Sequence, residues 1–354
     1  MTPDLRIQGI DGLRGLAILL VMLFHFTVDS ATSLIDVPLV TIARYGMSGV
    51  DLFFVISGFL ITGILIDAKG KDHYFRNFYI RRALRILPLY YGFVVGLILL
   101  YPRVGGPTAA AEAHVLIQHQ WWYWTYTVNW LVALTGDFTT NTTLATGGFW
   151  SLAIEEQFYL VWPLVVFFSS RRLLLRICLA MVATSFALRL CLTFAGASWT
   201  AVYSATFTRL DPLAIGGALA LFARSPAGFG PLRRYAPRVA LLSALGFIAL
   251  EVVQRKAEHP NPTLGLAFYC TLATFLYASL LVLTVTAGAG SLWSGLGQSG
   301  LLRTLGKYSY ALYLFHGHMN RLFQKLHLDR RLRVPVGGAM LPGQVLYIVL
   351  AIGS

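Results

Sequence analysis

Residues 9–29 form the stretch that decides the fold, and they read GIDGLRGLAILLVMLFHFTVD. A helix needs about 20 mostly apolar residues to cross a lipid bilayer, and this stretch is long enough. Similar runs recur along nearly the whole chain. The candidate spans lie near residues 9–29, 48–67, 86–101, 148–169, 173–195, 209–223, 238–254, 264–287, 308–327 and 341–353. The sequence therefore predicts an all-α fold, a polytopic transmembrane helical bundle of about ten spans with a polar cavity between helices. It forms one integral membrane domain over 1–354, with the last span cut short.

The composition favours a membrane protein and argues against a soluble enzyme. Of the 354 residues, 56% are hydrophobic and only 12% are charged, whereas soluble domains carry about 25% charged residues. The net charge is +13, but the basic residues lie between apolar runs, which is typical of the positive-inside rule, so no nucleic acid partner is expected. Cys178, Cys191 and Cys270 show no spacing typical of metal ligands, so no metal site is expected.

The basic residues also predict the orientation of the chain. The connection between the second and third spans is the most basic one. It holds Lys69, Lys71, Arg76, Arg81, Arg82 and Arg85. The positive-inside rule places this connection and the N-terminus in the cytoplasm. A further apolar segment, 115–135, is crowded with tryptophan and tyrosine, which favour the membrane–water interface, so it is not counted as a span. The basic loop 328–335 contradicts this orientation.

Four ionisable residues lie within the first span: Asp11, Arg14, His25 and Asp29. At about 100° per residue they fall on one stripe of the helix, within about 60° of one another. Ionisable residues inside lipid are costly and usually functional. Asp29 follows His25 by four residues and can orient its imidazole. The alternative interpretation is an Asp11–Arg14 ion pair and a histidine that merely bonds a neighbour.

A second polar stripe lies in the candidate span 148–169. Ser151, Glu155 and Tyr159 are spaced by four residues and stack on one helix face. Glu156 points about 100° away, so Glu155 is the predicted inward carboxylate. The alternative is an interfacial position for both glutamates.

Two arginines precede the third span on its predicted cytoplasmic side. Arg82 and Arg85 are neighbours three residues apart on a helix, and paired guanidiniums suit phosphate groups. Orientation signalling or binding of lipid headgroups explains them equally well.

Near the end of the chain, His316 lies within a predicted span, three residues after Tyr313. A packing role and a catalytic role are equally compatible with this pattern. Arg209 and Asp211 open another span, where a structural pairing with each other is the first interpretation.

Five stretches carry a family likeness, in this order: residues 11–25, 49–60, 78–88, 149–163 and 309–316. Together they resemble the acyltransferase-3 family of integral membrane acyltransferases. The resemblance implies a bacterial-type inner membrane location and an acyl-CoA donor, commonly acetyl-CoA, used from the cytoplasm. The implied acceptor is a hydroxyl of a cell-surface polysaccharide, lipid-linked sugar or other glycoside. In the family pattern, Arg14 and His25 are associated with activity, and the basic pair maps to Arg82 and Arg85.

Acyl transfer to a hydroxyl needs a base and a site for the thioester. Burial favours the neutral, proton-accepting form of a histidine, which makes His25 the candidate base. The predicted site has catalytic residues His25, Asp29 and Glu155 and donor-binding residues Arg14, Arg82 and Arg85. The residues expected to line the cavity are Asp11, Asp51, Ser57, Ser151, Tyr159, Tyr313 and His316. A route through an acylated His25 fits the same residues.

Two other classes of protein share some of these features. A proton-coupled multi-pass transporter also buries Asp, His and Glu, but often shows inverted repeats and broken helices, which the sequence lacks. A membrane scaffold or lipid-binding protein would explain the basic loops and the aromatic residues, but not the polar stripe of the first span.

Overall fold

The computed structural model describes residues 3–27, 33–104, 106–136, 138, 148–256, 261–288, 290–328 and 340–353. Over these ranges the chain forms helices and no strand, which confirms the all-α prediction. In chain order the α-helices are α1 (Pro3–Phe26), α2 (Val37–Tyr45), α3 (Gly49–Ala68), α4 (Tyr74–Leu99), α5 (Tyr101–Val104), α6 (Gly106–Gln118), α7 (Gln120–Trp124), α8 (Val128–Thr135), α9 (Phe149–Phe168), α10 (Arg171–Phe194), α11 (Trp199–Ser204), α12 (Asp211–Ala223), α13 (Gly230–Lys256), α14 (Pro262–Val285), α15 (Leu292–Gln298), α16 (Gly300–Lys325) and α17 (Leu341–Gly353).

Within the described part of the chain, seven helical segments are long and apolar enough to cross a membrane. They are Gly9–Phe26, Val37–Ala68, Tyr74–Arg103, Phe149–Phe168, Arg171–Phe194, Gly230–Gln254 and Pro262–Val285. The predicted count of about ten is therefore not confirmed. The other three predicted spans coincide with α12, α16 and α17. Helices α12 and α17 have only 13 residues each, and α16 carries basic and histidine side chains along its 26 residues.

The aromatic-rich segment 115–135, which was not counted as a span, forms short helices. Between α4 and α9 the chain forms α5 to α8, which have 4, 13, 5 and 8 residues. Helix α5 continues the candidate Tyr74–Arg103, and α6, α7 and α8 are not among the membrane-crossing candidates. Trp121 is 73% exposed, which suits an aromatic side chain at a membrane interface.

The chain divides into two compact units. The first comprises residues 1–53 and 287–354, and the second comprises residues 54–286. In the first unit, glycines let the backbones of α1 and α16 approach closely. A Cβ atom added to Gly15 would lie 1.8 Å from the carbonyl oxygen of Leu302, and one added to Gly306 would lie 1.9 Å from that of Asp11. Only glycine fits at such contacts, so the glycines position the side chains of α1 against those of α16.

In the second unit, buried polar residues join several helices. The guanidinium of Arg189 on α10 donates to Asp211 of α12 through two nitrogens, at 2.9 and 2.8 Å, so Asp211 is held by Arg189, whereas the sequence suggested Arg209. Arg209 is fully buried, lies 4.9 Å from the centroid of the Tyr203 ring and donates to Cys270 Sγ. The two hydrogen bonds to Asp211 offset part of the cost of desolvating this buried ion pair.

Candidate active site

In the first unit, α1 and α16 bring four of the predicted residues into two small groups. At one of them, Arg14 donates from Nη2 to Ser309 Oγ at 2.9 Å, and its Nη1 lies 3.7 Å from Asp11 Oδ1. The Asp11–Arg14 ion pair weighed from the sequence is therefore present. Ser309 lies in one of the quoted stretches but was not assigned to the site, because nothing in the sequence shows that it faces α1.

The imidazole of His25 is held by its own helix. Nδ1 lies 2.8 Å from the carbonyl oxygen of Val21, one turn earlier. A carbonyl oxygen only accepts, so this bond assigns the proton to Nδ1, and the lone pair of the neutral ring is then on Nε2. The residue is exposed, whereas the sequence argument for a base assumed that His25 is buried. Asp29, which was predicted to orient this ring, lies outside the described residues, as does most of the basic loop 328–335.

His316 packs directly against His25. The two ring centroids are 4.6 Å apart, with the ring planes at 67°. Nδ1 of His316 donates to the carbonyl oxygen of Tyr313 at 2.6 Å, so this ring has the same tautomer. His316 is only 4% exposed, whereas His25 is exposed. The exposed ring is therefore His25, with His316 buried beside it.

Two further residues of the first unit belong to the predicted cavity set. Tyr313 is buried, and its ring lies 5.9 Å from that of Phe53 and 5.5 Å from that of His316. Asp51, in the first turn of α3, is fully buried. The structure thus places both residues in the packed interior of this unit.

A second cluster lies in the second unit, around Arg82 of α4. The guanidinium carbon of Arg82 lies 5.6 Å from the centroid of the Tyr159 ring, and the Tyr159 hydroxyl is hydrogen-bonded to Ser57. Arg82 also interacts electrostatically with Glu155 and Glu156. This cluster joins three helices, α3, α4 and α9, through one guanidinium, one phenol and two carboxylates.

The cluster corrects the predicted distinction between the two glutamates. Both Glu155 and Glu156 are half-buried, and both interact with Arg82, although the helical pattern placed only Glu155 inward. The electrostatic interaction with Arg82 therefore does not distinguish the two carboxylates. Ser151, predicted to share the inward face, is buried and donates to the carbonyl oxygen of Gly148 at 2.9 Å.

The two arginines predicted to bind phosphate differ in exposure. Arg82 is half-buried, and Arg85, about one turn later on α4, is exposed. The residues in the described ranges include no group of three or more histidine, cysteine, aspartate or glutamate side chains that would hold a metal ion.

The sequence comparison assigns the chain to a class of membrane enzymes. The family model of the acyltransferase-3 proteins, described as an acyltransferase domain, matches residues 7–353. The chain belongs to this family, as the five sequence stretches predicted. The comparison gives no support to the transporter interpretation.

Several relatives have names that describe a more specific activity. Peptidoglycan O-acetyltransferase OatA of Listeria monocytogenes is 30% identical over 333 residues, which are 88% of this chain and 49% of that protein. O-acetyltransferase OatA of Staphylococcus aureus is 26% identical over 327 residues, 88% of this chain and 50% of that protein. YrhL of Bacillus subtilis is 31% identical over 334 residues, with 88% and 48% covered. The chain thus spans about half the length of these relatives. No solved structure matches it significantly.

Proposed function

We propose that this chain is a membrane O-acetyltransferase that moves an acetyl group from cytoplasmic acyl-CoA to a hydroxyl of a cell-surface glycan. The observation that carries the proposal is His25: its Nδ1 is held by the Val21 carbonyl, which leaves the lone pair on Nε2 of an exposed imidazole. Membership of the acyltransferase-3 family supports the transfer of an acyl group. The peptidoglycan named for OatA of Listeria monocytogenes supports a glycan as the acceptor.

In this proposal His25 acts first as a base and then as an acid. Nε2 takes the proton of the acceptor hydroxyl while the hydroxyl oxygen attacks the thioester carbonyl. The carbon–sulfur bond then breaks, and the CoA thiolate leaves and takes the proton back from Nε2. Asp29 is assigned, from the sequence, to stabilise the intermediate imidazolium. A positioned base of this kind typically contributes about 10²–10⁴-fold to the rate.

We assign the binding of the acyl-CoA donor to the arginines. Arg82 and Arg85 present two guanidiniums from adjacent turns of α4, and guanidiniums bind phosphate oxygens of the kind that acyl-CoA carries. The half-burial of Arg82 supports this role because a partly desolvated cation binds an anion more strongly than a fully solvated one. Glu155 and Glu156 would hold Arg82 in place between turnovers. Arg14, which is bonded to Ser309, is assigned to a further part of the donor.

We also propose a plasma-membrane location with the N-terminus in the cytoplasm, where acyl-CoA is found. Basic residues at helix ends support this orientation, because they meet at one end of the second unit. Lys69 donates to the carbonyl oxygen of Ser169 at 2.7 Å, Arg171 donates to that of Arg224 at 3.0 Å, and Arg224 pairs with Asp67. The positive-inside rule assigns such an end to the cytoplasm.

The test is an assay of the purified chain with acetyl-CoA labelled in the acetyl group and soluble peptidoglycan fragments as acceptor. We expect loss of the thioester and transfer of label to the glycan by the wild type, and neither by His25→Ala. His114→Ala is the matched control, because His114 is an exposed histidine on α6. A folded wild type that leaves acetyl-CoA intact would overturn the proposal. Acid quenching without acceptor separates the two routes, since label retained on the wild type but absent from His25→Ala indicates an acylated His25.

A further inference from the structure

The carboxyl end of α1 is held by side chains from two other helices. The last carbonyl groups of a helix have no partner within the helix, and α1 ends at Phe26. Asn320 of α16 donates from Nδ2 to the carbonyl oxygen of His25 at 3.0 Å, and Gln344 of α17 donates to that of Phe26. Two consecutive carbonyls in the turn that carries His25 are thus bonded by side-chain amides.

The amide of Asn320 is itself oriented by Tyr347 of α17. The Tyr347 hydroxyl donates to Asn320 Oδ1 at 2.5 Å. Because the His25 carbonyl only accepts, the amide nitrogen must face His25 and the amide oxygen must face Tyr347. Tyr347 is fully buried, and its ring packs edge-on against the rings of Phe26 at 6.2 Å and Phe323 at 5.4 Å. A rigid aromatic residue thus fixes the direction of the Asn320 amide.

We propose that Asn320, oriented by Tyr347, is a positioning residue for His25. This inference rests on the proposed function, in which Nε2 of His25 transfers the proton. The ring of His25 is bonded to Val21 of its own helix, so the direction of Nε2 follows the backbone of the last turn of α1. The last turn of a helix frays when its carbonyls lack partners. Fixing the His25 carbonyl therefore fixes where Nε2 points, and misplacement by about 1 Å can cost about 10²-fold in rate.

The first test compares Tyr347→Phe and Asn320→Ala with a matched control, Tyr90→Phe. Tyr90 is also fully buried, and its hydroxyl also donates one hydrogen bond, to the carbonyl oxygen of Tyr123 at 3.0 Å, away from α1. Tyr347→Phe keeps the aromatic packing and should lower kcat roughly two- to tenfold, the effect of about one hydrogen bond. Asn320→Ala should lower kcat more, while the KM for acetyl-CoA stays unchanged in both. Equal kcat in Tyr347→Phe, Tyr90→Phe and the wild type would contradict the inference.

A second measurement follows the chemical reactivity of the His25 imidazole and does not require turnover. Diethyl pyrocarbonate carbethoxylates the unprotonated nitrogen of a histidine, and mass spectrometry measures its rate at His25. We expect this rate to fall at least about threefold in Asn320→Ala, as the presentation of Nε2 is lost, and to stay unchanged in Tyr90→Phe. An unchanged rate in Asn320→Ala would overturn the inference even if the chain proved inactive.

The two proposals fail in different ways. If His25→Ala retains full activity, the proposed function is wrong. If His25→Ala is inactive but Asn320→Ala has normal kcat, only the positioning role is wrong. Adding Asn320→Ala to His25→Ala should cause no further loss of residual activity, because a residue that acts through His25 has nothing left to position. An additive loss would indicate a general structural role instead.

Discussion

The two clusters of the molecule differ in what holds their side chains. Around His25, backbone carbonyls accept from the imidazole nitrogens, and the nearest aromatic partner, His316, is another neutral ring. Around Arg82, by contrast, a guanidinium interacts electrostatically with two carboxylates and lies 5.6 Å from the centroid of a phenol ring. In the first cluster the imidazoles donate to backbone carbonyls and pack against each other, whereas the second cluster combines a guanidinium with groups of opposite charge.

Because of this difference, we expect the two clusters to have different roles in the reaction. A neutral imidazole with its lone pair on Nε2 can accept a proton or attack a carbonyl. A guanidinium cannot be deprotonated in proteins and serves to bind anions. We therefore expect substitutions in the first cluster to change kcat and substitutions in the second cluster to change the KM for the donor.

The largest effect is expected for His25→Ala. Because the base is removed and the arginines remain, kcat should fall by about 10²–10⁴-fold, while the equilibrium binding of acetyl-CoA stays within about twofold. Single-turnover label transfer measures the first quantity, and isothermal titration calorimetry measures the second. A parallel loss of donor binding would contradict the division between the clusters.

Arg82→Ala and Arg85→Ala should act on the donor instead. Each lost guanidinium–phosphate contact costs about 1.5–3 kcal/mol, so the KM for acetyl-CoA should rise roughly ten- to hundredfold with little change in kcat. Arg76→Ala is the matched control, because Arg76 is an exposed arginine on the same helix. If Arg76→Ala raises the KM as much as the other two, these arginines act through general charge, as orientation signals or headgroup ligands do.

The sequence predicted the helices and most of the polar residues, because both follow from local periodicity. The stripe of α1 is visible at 100° per residue, and its ion pair between Asp11 and Arg14 lies within one turn. The predicted count of about ten spans is not confirmed, because seven helical segments of the described residues are long and apolar enough, and α12 is apolar but has only 13 residues. Hydrophobicity alone does not fix the length of a helix.

The sequence does not show which distant segments pack against each other, or how far a long side chain extends from its helix. Ser309 is 295 residues from Arg14, and nothing in either stretch indicates that glycines bring their helices together. The helical wheel separated Glu155 from Glu156, but it describes Cβ directions and ignores the length of the arginine that meets them. Asn320 was not predicted, because it is 295 residues from His25 in the sequence and nothing there indicates that the two residues are in contact.

A smaller effect is expected for His316→Phe. This substitution keeps an aromatic ring against His25 and removes both ring nitrogens. If His316 supports His25 mainly by packing, kcat should fall by no more than about tenfold, well below the loss in His25→Ala. Steady-state label transfer measures both variants under the same conditions. A loss as large as that in His25→Ala would make His316 a second proton-transfer group in this cluster.

The smallest effects are expected for Glu155→Gln and Glu156→Gln. The helical pattern alone predicts a large loss for Glu155→Gln and little for Glu156→Gln, whereas in the structure both carboxylates interact electrostatically with Arg82. Since either one can hold the guanidinium when the other is neutralised, each variant should lower turnover only about two- to fivefold, the two values should agree within about threefold, and the double variant should lose more than their product. Expression and thermal unfolding, followed in parallel, exclude misfolding as the cause. If Glu155→Gln alone abolishes turnover, Glu155 takes part in the reaction itself, and the second cluster is then catalytic as well as binding.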